Sequence, residues 1–228
     1  MNNCNVRLKE IFASIQGEGP YIGYKQLFIR FCNCNLKCNY CDTEFGPEEY
    51  FEEFSPEELA DYIKKKFDLS TIHSISLTGG EPLLSVVFLK RFLPLTGSTK
   101  IYLETNATLA DKLAEVIDFT DIIAADIKLE SASGIKDTFK FHERFFETAR
   151  QKECFAKIVF NKNITEQEIA KCCEIAEKYN IELILQPAMI NDKLTVDNEF
   201  IEKVLDKFLK LHPNTRLIPQ VHKFLQVR

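Results

Sequence analysis

The sequence has no excess of basic charge. Its 228 residues carry 29 Lys and Arg against 34 Asp and Glu, a formal charge of -5, so nothing coats a phosphate backbone and nucleic acid is not expected as a direct partner. It has no apolar run near the roughly 20 residues that cross a bilayer. The start, Met1-Asn2-Asn3-Cys4-Asn5, lacks the basic and apolar regions of a signal peptide. A cytoplasmic protein with no membrane association is therefore expected. There is no repeat, low-complexity tract or Pro/Gly/Ser-rich linker, and residues 1–228 read as one domain. The eight cysteines are too few to staple a chain of this length as a small secreted domain is stapled. Four of them, Cys32, Cys34, Cys38 and Cys41, fall within ten residues, which points to metal chemistry instead of disulfides. With 45% hydrophobic and 28% charged residues, the composition excludes a disordered or fibrous chain.

What is present is an alternation of strand-like and helix-like runs, the pattern of an α/β fold with parallel strands joined by crossover helices. Strands are predicted at Arg7–Ile15, Gln26–Phe31, Ser74–Thr78, Lys100–Glu104, Asp121–Ile127, Cys154–Phe160, Glu182–Leu185 and Arg216–Ile218. Two helices announce themselves by capping boxes. Ser55-Pro56-Glu57-Glu58 precedes Leu59, Tyr62, Ile63 and Phe67 on one face; Thr165-Glu166-Gln167-Glu168 precedes a stripe of Ile169, Cys172, Cys173, Ala176 and Tyr179. That stripe makes Cys172 and Cys173 core residues, and Cys154 in its apolar strand reads the same way. Cys4 lies near a fraying terminus. Ser131–Thr138 reads as a polar, mobile loop. His73, His142 and His212, without a motif around them, read as surface or internally satisfied side chains.

Cys34-Asn-Leu-Lys-Cys38-Asn-Tyr-Cys41 sets three thiols in a loop directly after a strand. Three thiolates leave a four-iron cluster with one iron open to an external ligand. The competing reading is a closed four-thiolate zinc site that also uses Cys32, or a non-catalytic iron–sulfur protein. Zinc ribbons, however, split their ligands into two distant pairs, and Cys32 ends a strand.

The cysteine loop followed by Thr78-Gly79-Gly80-Glu81-Pro82 at a later strand end resembles the radical S-adenosylmethionine superfamily. Glycines there allow close backbone approach, and a strand end offers free backbone groups to the methionine moiety. Ser14-Ile15-Gln16-Gly17-Glu18-Gly19-Pro20, then Phe28-Ile29-Arg30, then Asp42-Thr43 after the cysteines, and finally Gln220-Val221-His222-Lys223, together resemble the 7-carboxy-7-deazaguanine synthase family, from about Glu10 to the last residue. A glycyl-radical activase, the nearest alternative enzyme, would need neither the Gln16–Gly19 segment nor Asp42-Thr43.

The resemblance implies a partial, distorted (β/α) barrel of about six parallel strands with the reacting groups at the C-terminal strand ends. It implies that Cys34, Cys38 and Cys41 hold a 4Fe-4S cluster. Tyr40, Asp42, Gly80, Asp126, Ile127, Lys128 and Gln186, with Cys41, would line S-adenosylmethionine. Ile15, Gln16, Gly17, Arg30, Thr78, His222 and Arg228 would meet a pterin substrate, and Thr43 would ligate magnesium. The implied reaction cleaves S-adenosylmethionine to a 5′-deoxyadenosyl radical. The radical takes hydrogen from C6 of 6-carboxy-5,6,7,8-tetrahydropterin, and ring contraction with loss of ammonia gives 7-carboxy-7-deazaguanine. No side chain is assigned as the main acid or base. A flavodoxin or ferredoxin as electron donor and a homodimer are further expectations from the resemblance. Residue chemistry agrees in part: a carboxylated pterin needs a cation such as Arg30 and a planar donor–acceptor set such as that around Gln16, while magnesium prefers hard oxygen ligands such as a threonine hydroxyl. Glu18 would orient its loop or serve a substrate amine. Two positions depart from the family pattern, Asn33 and Ala107, each standing where glycine is common; asparagine tolerates positive φ better than most residues.

Overall fold

A computed structural model describes residues 4–41 and 51–227. The strands are β1 (Val6–Ile15), β2 (Lys25–Phe31), β3 (Glu52–Phe54), β4 (Ser74–Gly79), β5 (Lys100–Thr105), β6 (Ile122–Asp126), β7 (Glu153–Phe160), β8 (Glu182–Pro187), β9 (Met189–Ile190), β10 (Lys193–Leu194) and β11 (Thr215–Leu217). The helices are α1 (Pro56–Lys66), α2 (Val86–Phe92), α3 (Ala110–Ala114), α4 (Glu130–Ser133), α5 (Phe139–Ala149), α6 (Glu166–Tyr179), α7 (Asn198–Leu211) and α8 (Val221–Leu225). Nine strands form one sheet in the order β11-β8-β7-β6-β5-β4-β2-β1-β3, while β9 and β10 make a separate hairpin. From β2 to β11 every neighbouring pair is parallel; β1 runs antiparallel to β2 and to β3. The short β11 adds a seventh parallel strand to the six expected. Among the parallel strands, β2, β4, β5, β6, β7, β8 and β11, spatial order follows chain order, so each crossover between them steps the same way, while β3 lies at the far edge beside β1. Right-handed crossovers then place the helices on one side and curl the sheet around the other. The sheet stays open, a partial barrel.

Period-two alternation sorts the side chains between the two faces. Leu27, Ile29, Phe31, Ile75, Leu77, Ile101, Leu103, Ile123, Ala125, Ile158 and Leu185 join the helices in one apolar core. Each such fully buried aliphatic side chain contributes roughly 1.5–3 kcal/mol, which lets the opposite face carry polar groups. Both capping boxes form, with Ser55 Oγ accepting from the Glu58 N–H at 3.2 Å and Thr165 Oγ1 accepting from the Glu168 N–H at 3.2 Å. The α6 stripe is buried as predicted, Cys172 and Cys173 included, with Ile175 added.

The segment read as a mobile loop, Ser131–Thr138, is instead anchored. It includes the end of α4; the Ser133 hydroxyl donates to the Leu129 carbonyl at 2.6 Å and the Thr138 hydroxyl to the Lys128 carbonyl at 2.7 Å. The Ser131 N–H donates to Glu168 at 2.9 Å, so the α6 cap also ties this segment down. Its hydroxyls at Ser133 and Thr138 are buried and hydrogen-bonded, while Lys136 and Asp137 face solvent.

Candidate active site

The C-terminal ends of the parallel strands surround a cavity of about 230 Å³. Cys34, Cys38, Tyr40 and Cys41 reach it from the loop after β2, and Thr78, Gly79 and Gly80 from the end of β4. Asp126 comes from the end of β6 and Lys128 from just beyond it, Gln186 from β8, Ile15 from the end of β1, and Gln16 and Gly17 from the turn that follows. Arg30 on β2 and His222 on α8 complete the set. Asp42, Thr43 and Arg228 lie outside the described residues.

Ile127, expected beside Asp126 and Lys128, has its side chain turned away, which leaves only its backbone to meet a ligand. It is 1% exposed in the apolar core, and its N–H donates to the Lys157 carbonyl at 2.9 Å. Alternation explains this, since Asp126 and Lys128 share one face and the residue between them takes the other.

The cysteine loop is braced from two sides. On one side, the Gly80 N–H donates to the Phe31 carbonyl at 2.9 Å and the Glu81 N–H to the Asn33 carbonyl at 2.6 Å. A side chain at Gly80 would put its Cβ 2.0 Å from the Asn33 oxygen, and Gly79 adopts φ +101° against Arg30 and Phe31. The glycine pair thus serves a backbone contact with the root of the cysteine loop. The strand-end N–H groups expected to be free are therefore spent on that contact. Asn33 itself needs no positive φ, whereas Ala107 has φ 55°. On the other side, the Asn39 N–H donates to the Ser133 carbonyl at 2.9 Å.

Cys34, Cys38 and Cys41 are turned to the cavity; Cys32 is not, being 4% exposed and bonded through its N–H to the Arg7 carbonyl. Among the described residues no three His, Cys, Asp or Glu side chains surround a single-ion position. Burial pushes the Cys32 thiol up to about 11 and raises Cys34 and Cys38, the last opposed by the Lys128 cation. The Leu36 N–H donates to Cys34 Sγ at 3.4 Å and Asn106 Nδ2 lies 3.8 Å from it, the kind of donors that favour sulfur in its anionic, metal-binding form.

Two charged groups flank this loop. Lys128 Nζ is 2.8 Å from Asp126 Oδ2 and 5.4 Å from the centre of the Tyr40 ring. Its backbone N–H donates to His142 Nε2 at 3.0 Å, and His142 Nδ1 in turn meets the Ala107 carbonyl at 3.1 Å. Since Nε2 accepts, Nδ1 carries the proton. Burial lowers this imidazole to about 4, so it is neutral, the internally satisfied histidine read from the sequence. On the cavity wall the buried Gln186 Oε1 has no hydrogen-bond donor among the described residues, and Asp126 Oδ1 meets only the Lys157 ammonium, at 3.3 Å. Buried acceptors without donors cost free energy, so this wall suits a ligand rich in N–H and O–H groups. The amine and hydroxyls of S-adenosylmethionine are such donors, and the three thiols beside them suit a cluster with one open iron.

The opposite half is built around Glu104. Its carboxylate accepts from Gln16 Nε2 at 2.9 Å, Thr78 Oγ1 at 2.7 Å and Ser76 Oγ at 3.3 Å. Gln16 Nε2 also donates to Gln26 Oε1 at 2.9 Å, and its oxygen accepts from the Glu18 N–H at 3.0 Å. The stacked rings of Phe12 and Phe28, 5.2 Å apart, form an apolar wall with the Arg30 guanidinium 5.9 Å from the Phe12 centre and 2.8 Å from Glu10. His222 packs against Gly17, and the Val221 N–H donates to the Gly17 carbonyl at 2.8 Å. The C-terminal tail thereby covers one side of the cavity.

Sequence reasoning placed Glu104 at the strand end without a role, and missed Phe12, Phe28 and Lys157. The signal for Lys157 was available: it is a lone cation inside the apolar run of β7, at an inward position.

Comparison with known proteins agrees with this geometry. A sequence model of the Radical SAM superfamily matches residues 28–193. The 7-carboxy-7-deazaguanine synthase of Geobacter sulfurreducens is 36% identical, with 99% of each chain covered. That of Archaeoglobus fulgidus is 37% identical over 97% of this chain and 98% of its own. The crystal structure of QueE from Escherichia coli superimposes with a TM-score of 0.65 at 18% identity, covering 96% of this chain and 95% of that one, a likeness of fold.

Proposed function

The chain belongs to the 7-carboxy-7-deazaguanine synthase family of the radical S-adenosylmethionine superfamily, and from that membership we propose that it converts 6-carboxy-5,6,7,8-tetrahydropterin to 7-carboxy-7-deazaguanine with loss of ammonia. The observation that carries the substrate reading is the two-part cavity, with three thiols and the open acceptor of Gln186 on one side and the Gln16–Glu104 network with its aromatic wall on the other.

Cys34, Cys38 and Cys41 would hold the 4Fe-4S cluster, and Tyr40, Gly80, Asp126, Lys128 and Gln186, joined by Asp42, would contact S-adenosylmethionine. Together these groups supply, when bound, a carbon radical able to take hydrogen from the substrate. The protein's own work is positioning. Glu104 offers a carboxylate to the N–H edge of an aminopyrimidine, Gln16 and Thr78 fix that carboxylate, and Phe12 and Phe28 pack an apolar surface beside the ring. Arg30 supplies a cation for the substrate carboxylate. Ile15, Gly17 and His222 close the pocket, which excludes water from a reactive intermediate. Magnesium on Thr43, a closing role for Arg228, a flavodoxin or ferredoxin donor and a homodimer complete the reading. The test is ammonia release by the reconstituted protein under reducing, anaerobic conditions: about one ammonia per pterin consumed supports it, and cleavage of S-adenosylmethionine with the pterin untouched refutes it.

A further inference from the structure

Lys157 stands at the junction of the two halves of the cavity and has no part in the account so far. Its ammonium pairs with the Glu18 carboxylate and lies 3.3 Å from Asp126 Oδ1; the side chains of Lys157, Glu18 and Asp126 are 12%, 19% and 20% exposed. Glu18 is the third member of the Gln16-Gly17-Glu18 turn, and its second oxygen accepts from Gln220 Nε2 at 2.7 Å. Gln220 immediately precedes α8. Asp126, on the far side, holds Lys128 through its other oxygen. One polar chain therefore runs from the tail to the cofactor strand end, Gln220–Glu18–Lys157–Asp126–Lys128, and Lys157 is its central cation.

We propose that Lys157 is a positioning residue: anchored by Asp126 on the cofactor side, it fixes Glu18 and, through Gln220, sets the closed position of the substrate turn and the C-terminal tail. The inference deepens the functional reading above and rests on it for the names of the two halves. Three charges in a cavity wall are a poor device for stability alone. Desolvation offsets most of their mutual attraction, and apolar side chains of similar volume would hold the strands at least as well. The arrangement instead provides direction. β7 is a central strand, with β6 and β8 on either side, so its inward lysine is a rigid post. Gln16, at the root of the turn, is held by Glu104 on β5 and by the Tyr24 carbonyl. Beyond it, Glu18 and Gln220 are tied to a central strand through Lys157, while the Val221 N–H to Gly17 carbonyl bond ties turn to tail.

Hydrogen–deuterium exchange on the full-length, cluster-loaded protein without substrate tests this. In Lys157→Met, exchange of the tail peptide containing Val221 should rise about tenfold while β6 and α6 peptides stay within about threefold of wild type, because local opening and global unfolding are separable in exchange. Lys157→Arg keeps the cation and should restore tail protection to within about threefold. If unpaired carboxylates prevent Lys157→Met from folding, Glu18→Gln with Lys157→Met removes the repulsion and should show the same selective loss. Tail exchange equal to wild type, or a rise only in step with the β6 and α6 peptides, overturns the proposal. No pterin is present, so a wild-type protein that leaves the pterin unconsumed refutes the substrate reading without altering this result.

Discussion

His222 rests against the α-carbon of Gly17: a methyl group added there would stand 2.4 Å from the His222 Cβ and 2.6 Å from its backbone nitrogen. The tail can occupy its place over the cavity only because residue 17 has no side chain. Gly17→Ala should therefore lift the tail. The expected result is a fall in kcat/KM for the pterin of about 10–100-fold, or roughly 1.4–2.8 kcal/mol of transition-state stabilisation. Affinity for S-adenosylmethionine, on the other wall, should stay within about threefold. Unchanged pterin kinetics would show that the tail contact plays no part in turnover.

The cysteine loop yields a second prediction. Cys38 faces the cavity with Cys34 and Cys41, while Cys32, two residues before the loop's first thiol, is buried and turned away. Cys38→Ala should lose bound iron and sulfide, and Cys32→Ala should retain both at wild-type stoichiometry. Iron and sulfide analysis after reconstitution decides it. Loss of metal from Cys32→Ala alone would contradict the ligand assignment.

How far these relations could be read from the sequence depends on the kind of residue. The parallel strands were legible because short apolar runs between capping signals have few other structures open to them. The cysteine loop and Thr78-Gly79-Gly80 were legible as motifs. The inward or outward direction of a particular side chain was less so, because a parallel strand covered on both faces is apolar throughout and blurs its own alternation. Ile127 enters the expected site only through the resemblance, which marks the whole Asp126-Ile127-Lys128 stretch, whereas the charges flanking it carry the period-two signal that turns its side chain to the core. Phe12 and Phe28 were hidden because an aromatic wall for a ligand and an aromatic core residue look alike in sequence. Glu18 was ambiguous until Lys157, 139 positions later, came beside it. The Ser131–Thr138 segment misled because polar composition does not distinguish a solvated loop from one whose hydroxyls bond buried carbonyls.

Glu18 also gives the site a defined acid response. Burial alone would raise its carboxyl above the ordinary 4.5, but the Lys157 ammonium beside it, helped by Gln220 and His222, holds it down to about 2. A folded value below the unfolded one means that the ionised form stabilises the fold fully above about pH 4.5. That contribution is lost as pH falls from about 4.5 toward 2. It is on the order of 2–3 kcal/mol. Urea unfolding at pH 7 and pH 3 should show a loss of stability in wild type that Glu18→Gln lacks by about that amount. Parallel losses in the two proteins would contradict the pairing with Lys157.

The central claim is that one cavity brings a radical-generating half against a pterin-binding half. Its most direct test is anaerobic turnover of the iron- and sulfide-reconstituted protein with S-adenosylmethionine, reductant, magnesium and 6-carboxy-5,6,7,8-tetrahydropterin, followed by mass spectrometry. The account predicts 7-carboxy-7-deazaguanine accumulating over many turnovers with little net loss of S-adenosylmethionine. Stoichiometric consumption of S-adenosylmethionine with no deazaguanine, by a protein carrying its full complement of iron and sulfide, would contradict it.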